Sequence, residues 1–155
     1  MTTVIIRPYT QDDHSACMAV FDSNVPKFFA ASERLEFCDW LGSLPDPTRP
    51  YLLIWQSGAL VACGGLSCVP GNPLASLVWG MVDSARHRRG LGTQLTRARI
   101  DLARADPSIT TLRLSTSQHS MRFYQGFGFV LSRVLPNGFA PGLDQYDMDL
   151  LLHPA

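Results

Sequence analysis

Hydrophobic and polar positions alternate most clearly at the two ends of the chain. Val4 to Arg7 is a short run of strand-forming residues stopped by Pro8, and DQYDMDL, near the C-terminus, places Tyr146, Met148 and Leu150 on one face and its aspartates on the other. A period of two is typical of a strand with one buried face. Both ends of the chain therefore predict strands.

Three more apolar runs lie in the middle of the chain, at residues 51–55, 60–69 and 75–82. The segments that join them, QSG and PGNP, contain the residues that favour tight turns. Short turns between strand-like runs are typical of hairpins. These runs predict an antiparallel meander.

Helical spacing occurs in three longer segments. Residues 12–24 and 32–44 predict two helices, with Ser32 as N-cap of the second, and residues 90–106 predict a third helix that Pro107 ends. The apolar positions of this third helix that share one face are Leu91, Leu95, Ala98 and Leu102, with Arg97 and Arg104 opposite. Ile100 does not fit this pattern.

The remaining segments predict a strand at 111–115, a short helix at 117–125 and a strand at 128–134. The order of elements is then βααβββαβαββ. This order predicts a mixed α/β fold in which sheet and helices share one core. A length of 155 residues is typical of one domain, which we place at residues 1–155.

Composition and charge exclude several classes of protein. Apolar runs fall far short of the roughly 18 residues that a membrane span needs, and the N-terminus does not resemble a signal peptide, so a cytoplasmic protein is predicted. A formal net charge of zero argues against a general nucleic-acid binder. The four cysteines lack the spacing of metal ligands, so we expect reduced packing residues and no metal.

The segment SARHRRGLGTQL, residues 84–95, combines arginines with a Gly-x-Gly that opens the third helix. Backbone N–H groups at a helix N-terminus have no partner within the helix and stabilise anions such as phosphate. The alternative is a tight turn whose arginines are solvated. The segment does not match the phosphate-binding motifs GxxxxGK[ST] or GxGxxG.

Two segments of the chain together resemble the GNAT superfamily of N-acetyltransferases. Residues 87–92, HRRGLG, resemble the family's [Q/R]-x-x-G-x-[G/A] loop, with His87 where Gln or Arg is usual. Residues 117–129, SQHSMRFYQGFGF, resemble its second segment and match it at Tyr124 and at Gly128–Phe129, while Ser replaces the usual Asn and Ala at positions 117 and 120. The resemblance implies a largely antiparallel twisted sheet flanked by helices.

The resemblance also implies acetyl-CoA as donor and Tyr124 as general acid toward the thiolate leaving group. A phenol has an ordinary pKa of about 10 and is able to protonate such a group. The resemblance implies that acetyl-CoA is bound by residues of the predicted strand 75–82, of the loop 87–93 and of the second segment, 117–129. These residues are Met81, Val82, His87, Arg88, Arg89, Gly90, Leu91, Gly92, Thr93, Ser117 and Ser120. We expect Ser117 to cap the short helix rather than to contact the cofactor.

The acceptor of the acetyl group is expected to be a primary amine of a small molecule, peptide or protein. In this family the acceptor site lies largely in the first two helices and between the last strands, and the Phe and Trp content there favours an apolar or aromatic acceptor. Residues proposed to contact it are Phe28, Phe29, Glu33 and Asp83, with Glu36 as a further acid. A non-catalytic acyl-CoA-binding domain of the same fold is the alternative, and an exposed last strand would allow a homodimer.

Overall fold

The computed structural model describes residues 3–153 and forms a single seven-stranded sheet flanked by helices. The strands are β1 (Val4–Pro8), β2 (Tyr51–Gln56), β3 (Ala59–Ser67), β4 (Leu74–Val82), β5 (Thr111–Thr116), β6 (Val130–Ala140) and β7 (Leu143–Leu151). The helices are α1 (His14–Ser23), α2 (Arg34–Gly42), α3 (Leu91–Arg104) and α4 (Met121–Gln125). The predicted mixed α/β class and the order βααβββαβαββ are confirmed.

Neighbouring strands of the sheet follow the order β1-β2-β3-β4-β5-β7-β6. All neighbours are antiparallel except β4 and β5, which run parallel and pair only between Leu74–Ser76 and Thr111–Arg113. Beyond these three pairs the two strands continue to Val82 and Thr116 without bonding to each other. A wedge therefore opens in the middle of the sheet.

Two groups of helices cover opposite faces of the sheet. On one face, α1 and α2 bury Phe21 and Phe37 against Leu53 of β2. On the other face, α3 buries Ile100 against Leu112 and Met148, and α4 packs at the edge of the same cluster. None of the helices within residues 3–153 is long and apolar enough to cross a membrane.

The predicted apolar face of α3 is wrong in part. Ile100, which did not fit it, is buried at 5 % exposure, whereas Leu102 of the predicted face is 38 % exposed. The buried stripe is Leu91, Leu95, Thr96, Arg99, Ile100 and Ala103. The stripe is displaced because an arginine, Arg99, is buried in it, and a pattern that counts arginine as exposed assigns the wrong face.

Two smaller predictions also need correction. Ser32 does not cap the second helix, because a 3₁₀ turn, Ala31–Glu33, precedes α2 and the backbone N–H of Ala30 donates to the Glu33 carboxylate at 2.8 Å. The last strand, β7, is not exposed at an edge, because it pairs with β5 on one side and β6 on the other. The edge strands are β6, next to β7, and β1 on the other side of the sheet.

Candidate active site

The wedge between β4 and β5 is part of a cleft of about 810 Å³. Its walls are the second half of β4, the end of β5, the first turns of α3, and α4. The segment between α1 and α2 closes it on the opposite face of the sheet. A cleft of this size has room for a ligand as large as a nucleotide cofactor.

The edge of β4 that faces the wedge carries backbone groups that the sheet does not use. From residue 77 to residue 82 this edge has no strand beside it among residues 3–153, because pairing with β5 ends at Ser76. A bulge lies in the same stretch, where Trp79 (φ 47°) and Gly80 stand opposite the single residue Gly64 of β3. An extended ligand is able to pair with such an edge as an added strand.

The loop before α3 has the geometry of an anion site. Gly90 is the N-cap in the left-handed region (φ 79°), and an added Cβ there would meet no atom within 4 Å. Arg88 also has a positive φ of 65°, an uncommon conformation for a side-chain-bearing residue. The backbone over the helix N-terminus is therefore open to a ligand, and the helix dipole favours a negative one.

His87, the departure from the family loop, makes a defined contact. Its Nε2 lies 2.9 Å from the carbonyl oxygen of Val82, and Asn24 Nδ2 donates to the same oxygen at 2.9 Å. Because a carbonyl only accepts hydrogen bonds, Nε2 carries the proton. The imidazole therefore joins the end of β4 to the loop, and it also lines the cleft.

Tyr124 lines the cleft from α4, on the side opposite β4. The half-buried ring makes edge-to-face contacts with Phe123 and Phe129, at centroid distances of 5.0 and 5.9 Å. Such contacts fix an aromatic ring and leave its hydroxyl at the end of the side chain. The structure therefore brings Tyr124 to the same cleft as the loop and the β4 edge.

Ser117 and Ser120 both line the cleft beside α4. The prediction that Ser117 caps this helix is wrong: Ser120 holds the N-cap position, and Ser117 Oγ accepts a hydrogen bond from the backbone N–H of His119 at 3.3 Å. Ser117 is buried, with 3 % exposure. Its hydroxyl stabilises the turn between β5 and α4.

Three residues predicted to contact the acetyl acceptor line the cleft from the α1–α2 segment: Phe28, Phe29 and Glu33. The Phe28 ring contacts His87 and His119 edge-on, at 5.1 and 5.9 Å. Burial raises the pKa of the Glu33 carboxyl, although the hydrogen bond from Ala30 N–H opposes the shift. The cleft thus has an aromatic entrance and a partly desolvated acid.

Not every predicted site residue reaches this cleft. Met81, Val82, Arg88, Gly92 and Thr93 line it, together with His87 and Gly90. Among the described residues, the lining does not include Arg89, Leu91 or Asp83. Leu91 is buried beneath the loop, and the Asp83 carboxylate accepts a hydrogen bond from Ala85 N–H at 2.9 Å.

Within residues 3–153, no three His, Cys, Asp or Glu side chains are grouped to hold a metal.

Several lining residues were missed by the sequence interpretation. Trp79 and Phe139 add aromatic surface, and Thr96 and Arg99 of α3 form the floor. The sequence signal for Arg99 is its position on the helical face of Leu95 and Ile100. Burial of a charge is rare enough that the pattern alone does not predict it.

Structural comparisons give the same architecture. The ribosomal-protein-S18-alanine N-acetyltransferase from Escherichia coli is similar over 99 % of this chain and 96 % of its own, at 19 % identity and a TM-score of 0.81. The yncA protein from Salmonella typhimurium, solved with its cofactor acetyl-CoA, is similar over 99 % and 96 %, at 17 % identity and a TM-score of 0.78. An aminoglycoside 6'-N-acetyltransferase complexed with coenzyme A is similar over 97 % and 98 %, at 18 % identity and a TM-score of 0.77.

The fold and the loop before α3 are those of the acetyltransferase (GNAT) family, whose family model matches residues 12–129. The chain belongs to this family. No curated protein matches it by sequence. Its similarity to the solved structures lies in the fold.

Proposed function

We propose that this protein is an acetyl-CoA-dependent N-acetyltransferase that transfers the acetyl group to a primary amine. The observation that carries the proposal is the meeting, in one cleft, of the open helix N-terminus at Gly90, the unpaired edge of β4 and the Tyr124 side chain. A phosphate site, a strand edge and an acid are the three elements that such a donor needs.

The residues present fit acetyl-CoA. Backbone N–H groups from Arg88 to Thr93 would hold the pyrophosphate, with Arg86 and Arg88 adding positive charge at the cleft. The backbone at Met81 and Val82 would pair with the pantetheine arm. Space above Gly90 supports this fit, since no atom lies within 4 Å of a Cβ placed there.

The proposed reaction is direct transfer. The donor supplies a thioester carbonyl, and attack by the neutral amine nitrogen forms the C–N bond as the C–S bond breaks. Tyr124 donates its phenolic proton to the departing sulfur, and the nitrogen gives up a proton to a base. We assign that base to Glu33, the acid on the acceptor side of the cleft whose pKa burial raises. No covalent enzyme intermediate is needed.

The acceptor is proposed to be apolar or aromatic beside its amine. Phe28 and Phe29 line the α1–α2 side of the cleft, and Phe29 stacks at 6.0 Å on Trp79, which also lines it. Aromatic rings bind apolar groups and also attract ammonium ions through their faces. An amine with an aromatic body therefore fits better than a polyamine.

The role of Tyr124 is tested by a Tyr124→Phe substitution. Phe keeps the ring contacts with Phe123 and Phe129, so the variant should fold and bind acetyl-CoA with an unchanged dissociation constant. Loss of the acid should lower kcat by about 10²-fold or more. Thiol release with aromatic amines measures kcat, and calorimetric titration measures binding.

Three results are informative. A large drop in kcat with unchanged binding supports the proposal. An unchanged kcat would remove Tyr124 from the mechanism. Binding of acetyl-CoA by the wild type without turnover of any amine in a broad panel would instead identify a non-catalytic acyl-CoA-binding domain.

A further inference from the structure

Arg99 is a buried cation without a carboxylate partner among residues 3–153. Its side chain lies on the inner face of α3 with 1 % exposure, and it is one of the largest fully buried side chains. None of the ion pairs formed within residues 3–153 includes it. Its Nε hydrogen is buried and finds no acceptor among the described residues. A buried charge without a partner is costly.

Two glycines make the space for this guanidinium. A Cβ at Gly80 would lie 2.5 Å from one terminal nitrogen of Arg99 and 2.8 Å from the other, and a Cβ at Gly64 would lie 3.2 Å from Cζ. Any side chain on β4 at position 80 would therefore displace it. Glycine within a strand often marks such a close approach. The guanidinium thus occupies a slot shaped for it against the sheet.

Arg99 is also one of the residues that line the cleft. Arg113 of β5, a more exposed arginine of the cleft lining, is paired with Asp149 at 2.7 Å. Arg99 has no such partner among residues 3–153. A planar guanidinium binds a carboxylate through two parallel hydrogen bonds, and such a charge-assisted pair is strong when water is excluded.

The position of Arg99 along β4 indicates which part of the proposed donor would lie beside it. Gly80 lies roughly 7 Å along β4 from Val82, toward the closed end of the wedge. The phosphate loop is at the open end, at the start of α3. A donor held at the loop and paired with Met81 and Val82 would therefore bring its acyl group, not its phosphates, to Gly80 and Arg99.

The face of the sheet on which Arg99 lies indicates whether it would contact the donor or the acceptor. Arg99 lies on the face covered by α3 and α4, which carry the phosphate loop and Tyr124, whereas Phe28, Phe29 and Glu33 approach from the opposite face. We propose that Arg99 binds a carboxylate at the end of the donor's acyl group, so that the preferred donor is a carboxyacyl-CoA. This inference rests on the proposed CoA-dependent transfer to an amine and extends the donor from acetyl-CoA to a CoA thioester whose acyl group ends in a carboxylate.

Calorimetric titration of the wild-type protein tests this directly. The ligands are CoA, acetyl-CoA, malonyl-CoA and succinyl-CoA, with butyryl-CoA and pentanoyl-CoA as neutral partners of similar length. We expect a carboxyacyl-CoA to bind at least tenfold more tightly than its neutral partner. In an Arg99→Met variant this ratio should fall to within twofold, while the affinity for CoA itself stays the same.

Thermal unfolding distinguishes a role of Arg99 in ligand binding from a role in packing of the core. Met matches the length of the arginine stem without its charge, so Arg99→Met should unfold at the same temperature or higher. Arg99→Lys keeps the charge but not the two parallel hydrogen bonds, and should retain only part of the preference. A markedly lower Tm for Arg99→Met, with an unchanged donor preference in Arg99→Lys, would assign Arg99 to packing and overturn the proposal.

The remaining outcomes are distinct. Failure of the wild type to bind CoA would defeat the proposed function itself. Binding of CoA and acetyl-CoA without preference for a carboxyacyl group would defeat this inference alone. If Arg99→Met raises KM for phenylalanine but not for phenylalanine amide, and leaves donor binding unchanged, the carboxylate belongs to the acceptor and the assignment to the donor is wrong.

Discussion

At the scale of single residues, a hydrogen bond explains how His87 is accommodated where the family loop usually has Gln or Arg. Its ring donates to the Val82 carbonyl at 2.9 Å, and Asn24, at the C-terminal end of α1, donates to the same oxygen at 2.9 Å. The proposed phosphate ligands are backbone N–H groups, so the loop does not require a charged side chain at position 87. The histidine there instead orders the loop through its hydrogen bond to Val82.

Glu33 provides a prediction at this scale. As the proposed base, it must be ionised to accept a proton from the amine, and burial raises its pKa. The rate should therefore fall as pH decreases through this raised pKa, at a higher pH than an ordinary glutamate would give. Glu33→Gln should lower kcat/KM by about 10²-fold and remove this acidic limb from the pH profile.

The glutamine also keeps the local fold. Its amide oxygen is able to accept the bond that Ala30 N–H donates at 2.8 Å to the carboxylate. A raised pKa means that ionisation of Glu33 costs folding stability as pH rises, so Glu33→Gln should unfold at an equal or higher Tm at neutral pH. Glu36→Gln is the matched control, and an equal loss of activity in both variants would contradict a specific role for Glu33.

At the scale of elements, one ion pair joins β1 to the turn before α1. Arg7 binds both carboxylate oxygens of Asp13, at 2.9 and 2.8 Å, and Thr10 N–H donates to the same carboxylate at 2.8 Å. The hydrogen bond from Arg7 is the main reason that the pKa of Asp13 is lowered to about 2. Asp13→Asn should reduce the free energy of unfolding by about 1.5–3 kcal/mol at pH 7.

The pH dependence of that loss has a definite sign. An acid with a lowered pKa in the folded state stabilises the fold above its unfolded pKa of about 3.9 and loses this effect as pH falls. The difference between wild type and Asp13→Asn should therefore shrink between pH 4 and pH 2. Chemical unfolding across this range measures it, with exposed Asp12→Asn as the control. A difference that is constant with pH would contradict the ion pair's contribution.

The elements themselves could be predicted in large part, because strands and helices leave periodic patterns. Met148 and Leu150 are buried and Asp149 pairs with Arg113 on the other side of β7, as the alternation indicates. The bulge at Trp79 could not be predicted, because it is a local change of register. The burial of Arg99 depends on glycines of two other strands, which a helical pattern does not contain.

At the scale of the whole molecule, the sequence predicts the order of elements along the chain but not in space. The insertion of β7 between β5 and β6 depends on long-range pairing, and so does the opening of the wedge where β4 and β5 stop pairing. Only the resemblance to the family predicted that Tyr124 lies at a functional site. The Phe-rich sequence around Tyr124 by itself predicts a core aromatic residue.

β6 is the edge strand next to β7, and β1 is the edge strand on the other side of the sheet. Val130 is 68 % exposed, and Leu131, Val134 and Leu135 are also exposed. Apolar edge strands pair readily with other chains. A homodimer stays a prediction, now assigned to this strand in place of the last one.

Calorimetric titration with acetyl-CoA measures whether the wedge and the loop before α3 bind this cofactor. The wild type is compared with Gly92→Glu, whose carboxylate would repel a pyrophosphate at the helix N-terminus. A Cβ at Gly92 would lie 3.3 Å from the tip of Phe123, an exposed ring that is able to move, so the variant should fold. Gly42→Glu adds the same charge in open space on α2.

We expect binding by the wild type and by Gly42→Glu, weakened by added salt, and a loss of affinity of at least 100-fold in Gly92→Glu. A folded wild-type protein that does not bind acetyl-CoA, or a Gly92→Glu variant that binds it as tightly as the wild type, would show that the cofactor does not bind at this site.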